Sequence, residues 1–169
     1  MVRRHSVVAL AAVFTLAACA SSRSVHPSPR RYVAPPPPTA GATGLERQVL
    51  DLVNRYRSAR GLRPLLLDPR ITREARRHSA AMASGVVPPG HRGFDDRFAT
   101  LHHTIRCRRL AENVAMNQGL PRPASEAFQD WLDSPHHRTN IEGPYESTGI
   151  GVATNRSGQF YFTQLFAAR

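Results

Sequence analysis

The chain has 169 residues and a formal charge of +11, a length that suits one ordinary domain. Its 23 basic side chains are all arginine, which excludes Schiff-base lysine chemistry and a P-loop lysine. Two cysteines exclude a disulfide-dense scaffold and a Cys₄ zinc site, and no apolar run approaches the ~20 residues of a membrane-spanning helix.

The chain opens with Arg3, Arg4 and His5. Residues 7–18 are then apolar apart from Thr15, and the small pair Ala17-Ala18 precedes Cys19. Charge, apolar run and small residues, in that order, predict a secretory signal over residues 1–18. Leu16-Ala17-Ala18-Cys19 resembles the bacterial lipobox. That resemblance implies cleavage before Cys19 and acylation of its sulfur and new amine. Each buried methylene contributes about 0.8 kcal/mol, so two or three acyl chains anchor stably. The expected location is therefore the cell envelope, outside the cytoplasm. Ala20 and Ser21 after the cysteine resemble outer-membrane sorting if the host is Gram-negative.

Residues 19–44 read as a tether. They hold Pro27, Pro29 and four prolines at 35–38, and their larger apolar side chains are only Val25, Tyr32 and Val33. Such a segment cannot build a core. Polyproline II at about 3.1 Å per residue gives it a reach of roughly 75 Å.

Residues 45–169 hold all twelve acids and eighteen of the arginines, a net charge of +6. Leu45, Val49, Leu52, Val53 and Tyr56 predict an amphipathic helix, with Gly61 placed to stop it. Asp68-Pro69 reads as an N-cap and first helical position. Ile71, Ala75, His78 and Met82 form the inner face of the second helix, which Gly85 ends. Arg73, Arg76 and Arg77 fall off that face and should be solvated. Residues 91–109 read as loop, with a short helix at most over 94–98, so His102 and His103 receive no role. Residues 110–116 fit a strand or a short helix. A third helix spans about 123–132, and Ser134-Pro135 restarts one to about Ile141. Residues 148–153 and 159–166 alternate as two strands joined by a turn. Helices first and a terminal hairpin predict a layered α+β domain.

Several segments together resemble one family. They are Ala75-Arg76-Arg77-His78-Ser79 with Met82; His91 before Phe94 and Arg97; Ala111-Glu112-Asn113-Val114-Ala115; the stretch from Trp131 to Ile141; Gly149-Ile150-Gly151-Val152; and Tyr161 to Phe166. In this order they resemble the bacterial branch of the CAP superfamily of cysteine-rich secretory, antigen 5 and pathogenesis-related proteins. The resemblance spans residues 45–169 and implies a three-layer α-β-α sandwich with a cleft beside the central sheet. It implies a cleft histidine at His91, an acid at Glu112 and a second histidine at His137. The second acid of the family pattern is replaced by Ser134, so the paired-carboxylate tetrad is incomplete. The resemblance also links the fold to divalent metals such as Zn²⁺, to sterols or other lipids, and to envelope roles.

The residues themselves bear on these positions. His91 follows Pro88-Pro89-Gly90, a stiff presentation suited to a ligand or catalytic role. His137 shares a helix face with Ile141 and should point inward. With Ser134 as N-cap it lies near the positive helix end, which keeps its imidazole neutral. Glu112 sits among apolar neighbours and needs partners: a metal, a histidine to orient, or an arginine. Asn113 more naturally holds backbone than ligand. Ser134 is better read as a cap than as a nucleophile, because no elbow motif surrounds it. His78 reads as a core histidine, and Gln164 as a strand residue able to reach the cleft. Arg106, Arg108 and Arg109 around Cys107 favour its thiolate, though nothing else supports a catalytic Cys-His pair.

The first expectation is thus a lipid-anchored envelope protein whose cleft binds a ligand around His91, Glu112, Ser134, His137 and Gln164. A metal would use His91 and His137, with Glu112 as a third donor or orienting group. The alternatives are a metal-assisted hydrolase of peptides or cell-wall material, and a lipid- or sterol-binding or lipid-export module. No residue is assigned as catalytic. Export makes nucleic acid an unsuitable partner, and oligomeric state is undetermined.

Overall fold

A computed structural model describes residues 40–169, which fall within one compact unit, Ala34–Arg169. The expected signal, Cys19 and most of the expected tether lie outside the described residues. Among the described residues, five helices and four strands follow in the order α1 (Ala40–Ala59), β1 (Leu66–Leu67), α2 (Pro69–Ala83), α3 (Phe94–Ile105), β2 (Arg109–Gln118), α4 (Pro123–Asp133), α5 (Pro135–Glu142), β3 (Ser147–Thr154) and β4 (Gln159–Ala168). The strands form one sheet in the order β1-β3-β4-β2. β1 is parallel to β3, and β4 is antiparallel to both its neighbours.

Strand alternation sends successive side chains to opposite faces, and β4 builds a core on each. Phe162 and Phe166 pack with Val49 and Val53 of α1, Ala127 and Trp131 of α4, and Ile141 of α5. Leu165 and Ala167 pack with Ile71 and Ala75 of α2 and Leu101 and Ile105 of α3. The architecture is the expected α-β-α sandwich, α+β in class. Both cores are built from residues of this one unit, the property of a segment able to fold alone.

The periodic segments fold as their sequences predict. Ile71, Ala75, His78 and Met82 are buried on α2, and the Asp68 carboxylate accepts from the Arg70 N–H at 2.8 Å as an N-cap. Arg70 hydrogen-bonded to Asp68 holds that carboxyl at about 2. Four expectations need correction. α1 starts at Ala40, ahead of Leu45, because Ala42 also packs into the core. α3 continues from Phe94 to Ile105 and carries His102 and His103, because Leu101 and Ile105, one turn apart, fasten it to α2. Arg76 is not simply solvated: it grips Glu46 of α1 with Nε to Oε1 at 2.8 Å. Arg77 pairs with Glu74 at 2.9 Å. Cys107 is fully buried, its thiol donates to the Arg109 carbonyl at 2.9 Å, and burial pushes its pKa up. The flanking arginines point away, so the thiol stays protonated rather than activated.

Two long-range devices were not foreseen. Arg57 of α1 is buried and donates to the carbonyls of Arg63, Ile141 and Gly143 at 2.8, 2.6 and 3.0 Å. It satisfies the carbonyl end of α5, where a cation is favoured. Gly149 and Gly151 let α2 lie directly on β3. A Cβ there would stand 2.2 Å from the backbone nitrogens of Thr72 and Arg76 respectively.

That contact makes a test. Gly151→Ala is expected to lower the unfolding free energy by about 1–3 kcal/mol, the usual cost of overpacking, read as a reduced urea midpoint. An unchanged midpoint would mean that α2 is not held against the strand.

Candidate functional site

β2 is an edge strand, and two consecutive residues on it build the site. Glu112 and Asn113 point to opposite faces of the sheet. Each secures a different histidine-bearing segment.

Glu112 faces the α2–α3 layer with its side chain only 1% exposed. Arg97, in the first turn of α3, meets it side-on: Nε to Oε2 at 2.7 Å and Nη2 to Oε1 at 2.8 Å. This is the bidentate form of a charge-assisted pair. The His91 Nδ1–H donates to Glu112 Oε1 at 2.9 Å. That bond orients the ring, which is 52% exposed, and leaves Nε2 unbonded to Glu112.

Behind Arg97 stands His78. Its Nε2–H donates to the Gly90 carbonyl at 2.7 Å, and its Nδ1 accepts from Arg97 Nη1 at 3.2 Å. These roles require a neutral ring. Burial first, and the Arg97 charge second, pull its pKa below the ordinary imidazole value. Arg97 also donates to the Arg92 carbonyl at 3.0 Å. The loop carrying His91 is therefore sewn to α2, α3 and β2 through one guanidinium. Gly90 and Gly93, with φ of 130° and 77°, give that loop the left-handed turns it needs.

Asn113 faces the other layer. Its Nδ2 donates to the His137 carbonyl at 3.0 Å, and its Oδ1 accepts from Asn140 Nδ2 at 2.9 Å. Asn140 reaches the Glu112 carbonyl as well, at 3.3 Å. α5 thereby covers the edge of β2, and the His137 ring comes to 6.0 Å from that of His91, centroid to centroid. Burial, then the charges of His91 and His136, push the His137 pKa down.

The expected set is thus brought together in part. His91, Glu112 and His137 converge. Ser134 sits at the α4–α5 junction in the N-cap position, but its hydroxyl closes no cap bond. Among the described residues it forms no hydrogen bond to either histidine or to Glu112. Gln164 is fully buried inside the sheet, where its Nε2 donates to Thr148 Oγ1 at 3.1 Å. It is closed off from solvent, and its partner is Thr148 of β3, not a residue of the histidine pair. Arg97 and Asn140 are the site residues that local reading of the sequence did not single out. Their partners lie 15 and 27 residues away, and no local pattern marks such a bond.

The donors on offer are two imidazoles. Both Glu112 oxygens are engaged, so it acts as the orienting group behind a histidine. Among the described residues no three His, Cys, Asp or Glu side chains converge as a ready metal site.

The cysteine-rich secretory protein family model matches residues 50–166. The uncharacterized protein YkwD of Bacillus subtilis (strain 168) is 29% identical over 138 residues, covering 77% of this chain and 49% of that protein. An extracellular protein containing a SCP domain from Bacillus anthracis superposes with a TM-score of 0.59 at 25% identity, covering 79% of this chain and 45% of that one. An outer surface protein of Borrelia burgdorferi superposes with a TM-score of 0.63 at 16% identity, covering 75% of this chain and 93% of that one. The chain therefore spans about half the length of the two Bacillus relatives.

Removing one member of the buried pair exposes its cost. Glu112→Gln leaves a buried guanidinium uncompensated and is expected to lower the unfolding free energy by about 3–5 kcal/mol. Arg97→Met added to it should recover part of that loss. Urea denaturation of the two single variants and the double variant measures the coupling; strict additivity would contradict the pairing.

Proposed function

The chain belongs to the cysteine-rich secretory protein (CAP) family, and from that premise we propose that it is an exported, lipid-anchored envelope protein whose domain binds a ligand between His91 and His137. Residues 1–18 direct export, acylated Cys19 holds the protein on the membrane, and the proline-rich stretch sets the domain off from it. Two proteins of the same fold are described as an extracellular protein and an outer surface protein, in keeping with this location.

The observation that carries the binding reading is the state of Glu112. It is the acid of the cleft set, and Arg97 and His91 occupy both of its oxygens. No carboxylate of that set is left to serve as a general base, which favours binding over hydrolysis. What reaches the cleft is His91 Nε2, aimed by Glu112, and a His137 ring that burial keeps neutral. Two imidazoles, one with a carboxylate behind it, suit a divalent cation such as Zn²⁺. His91 and His137 would hold the ion. The ion would supply positive charge and open coordination positions for a ligand oxygen, and Glu112 would orient without ligating.

Calorimetric titration of residues 34–169 with Zn²⁺ tests the cleft. Saturable one-to-one binding is expected, lost in His91→Ala and in His137→Ala. Glu112→Gln, which removes no ligand, is expected to weaken it about tenfold or more. Heat of binding that both histidine variants retain would overturn the assignment. The anchor is tested separately in the full chain expressed in a bacterium. Labelled fatty acid should enter the wild type and be absent from Cys19→Ser; label retained by the variant would place the acyl chain elsewhere.

A further inference from the structure

The end of the sheet opposite the β3–β4 hairpin carries features that the histidine cleft does not use. His102, Ile105, Arg106, Arg108 and Arg169 line a concavity of about 640 Å³. That volume falls in the range that accepts a small molecule or a headgroup, roughly 300–1,000 Å³. Among the described residues, Arg106 and Arg108 have no carboxylate partner. The His102 Nδ1–H is spent on the Cys107 carbonyl at 2.9 Å, leaving Nε2 for another group. Of the two acids at this end, Asp68 is ion-paired, while Glu146 is exposed and, among the described residues, in no side-chain ion pair. Asp68 is bound by Arg70 and Arg169, and Glu146 accepts from the Arg169 backbone N–H at 3.3 Å.

Arg106 is also out of place by backbone criteria. It ends α3 with φ 56° and ψ 38°, the one positive-φ residue other than glycine among those described. This left-handed helix end favours glycine, and an arginine there is strained. Its cation suits the carbonyl end of the helix, and the same side chain lines the concavity.

Apolar surface lies at the same end. Leu66 and Leu67 are 71% and 52% exposed. The register runs from Leu66 to Ser147, from Ser147 to Ala167, and from Ala167 to Leu110. Leu66 thus shares a row of the sheet with Ala167 and Leu110, two residues from Arg169 and Arg108 respectively. Three strand spacings, about 14 Å, separate the two edges. Exposed leucines at one edge, with the unpaired Arg106 and Arg108 at the other, suit one surface in particular: apolar side chains enter the acyl boundary while cations meet phosphate.

We propose that this end of the domain docks on an anionic phospholipid bilayer, with lipid phosphates in the concavity of Arg106, Arg108 and Arg169 and with Leu66 and Leu67 in the interface. The contact is independent of acylated Cys19 and of the histidine cleft, and either can fail without it.

Co-sedimentation of residues 34–169 with lipid vesicles tests it, since this unit lacks Cys19 and encloses its own cores. Binding is expected to vesicles containing phosphatidylglycerol and not to phosphatidylcholine alone. Arg106→Gly should weaken it roughly five-fold, with a Tm no lower than wild type because glycine relieves the strained helix end. Leu66→Ser should weaken it as well. Arg156→Ser removes the same charge from the hairpin at the far end and should change it little. Equal losses in Arg106→Gly and Arg156→Ser would reduce the effect to net charge and overturn the proposal. Binding that Leu66→Ser leaves intact and free glycerol phosphate displaces would indicate a soluble-anion site instead, and would overturn it too. Absence of any phosphatidylglycerol dependence would do the same.

Discussion

The site depends on the two-residue alternation of an edge strand. Glu112 and Asn113 are neighbours in β2, so their side chains leave the sheet on opposite faces. One fixes the loop of His91 through a carboxylate, and the other fixes α5 and His137 through an amide. A shift of one residue in the pairing of β2 with β4 would exchange the two side chains and dismantle both attachments. That register is held by ten paired positions along β2 and β4 and by apolar side chains buried on each face.

Arg97 gives the arrangement its rigidity. Its guanidinium contacts Glu112, His78 and the Arg92 carbonyl at once. An isolated buried charge would be costly, and this one is compensated on nearly every N–H. The neutral state of His78 belongs to the same network, since only a neutral ring can accept from Arg97 while donating to Gly90. The exposed half of His91 is therefore attached to a foundation that excludes water, the condition for holding a ligand-binding nitrogen in one orientation.

Much of the fold was legible in the sequence because its helices pack by regular stripes. Ile71, Ala75, His78 and Met82 read as one face and are buried as one face. The length of α3 was not legible, because Leu101 and Ile105 stand alone among histidines and threonines. β1 was not legible either: two exposed leucines become a strand only by pairing with β3. In the site, His91, Glu112 and His137 came from resemblance and from the need of a buried acid for partners. Local reading did not reveal which partners Glu112 has, since its bond to Arg97 spans 15 residues. Cys107 misled for a related reason. Adjacent arginines in sequence lie around it, but in the segment between α3 and β2 the thiol is buried while Arg106, Arg108 and Arg109 are exposed.

The buried guanidinium of Arg57 has a consequence beyond packing. It ties α1 to the end of α5 across more than eighty residues of sequence, a span that small exported domains commonly close with a disulfide. Its hydrogen bonds are indifferent to redox potential, and the Cys107 thiol is shielded inside the core. The domain can therefore reach the same structure in a reducing cytoplasm and in an oxidising envelope, and no oxidase or disulfide isomerase has to act before it functions.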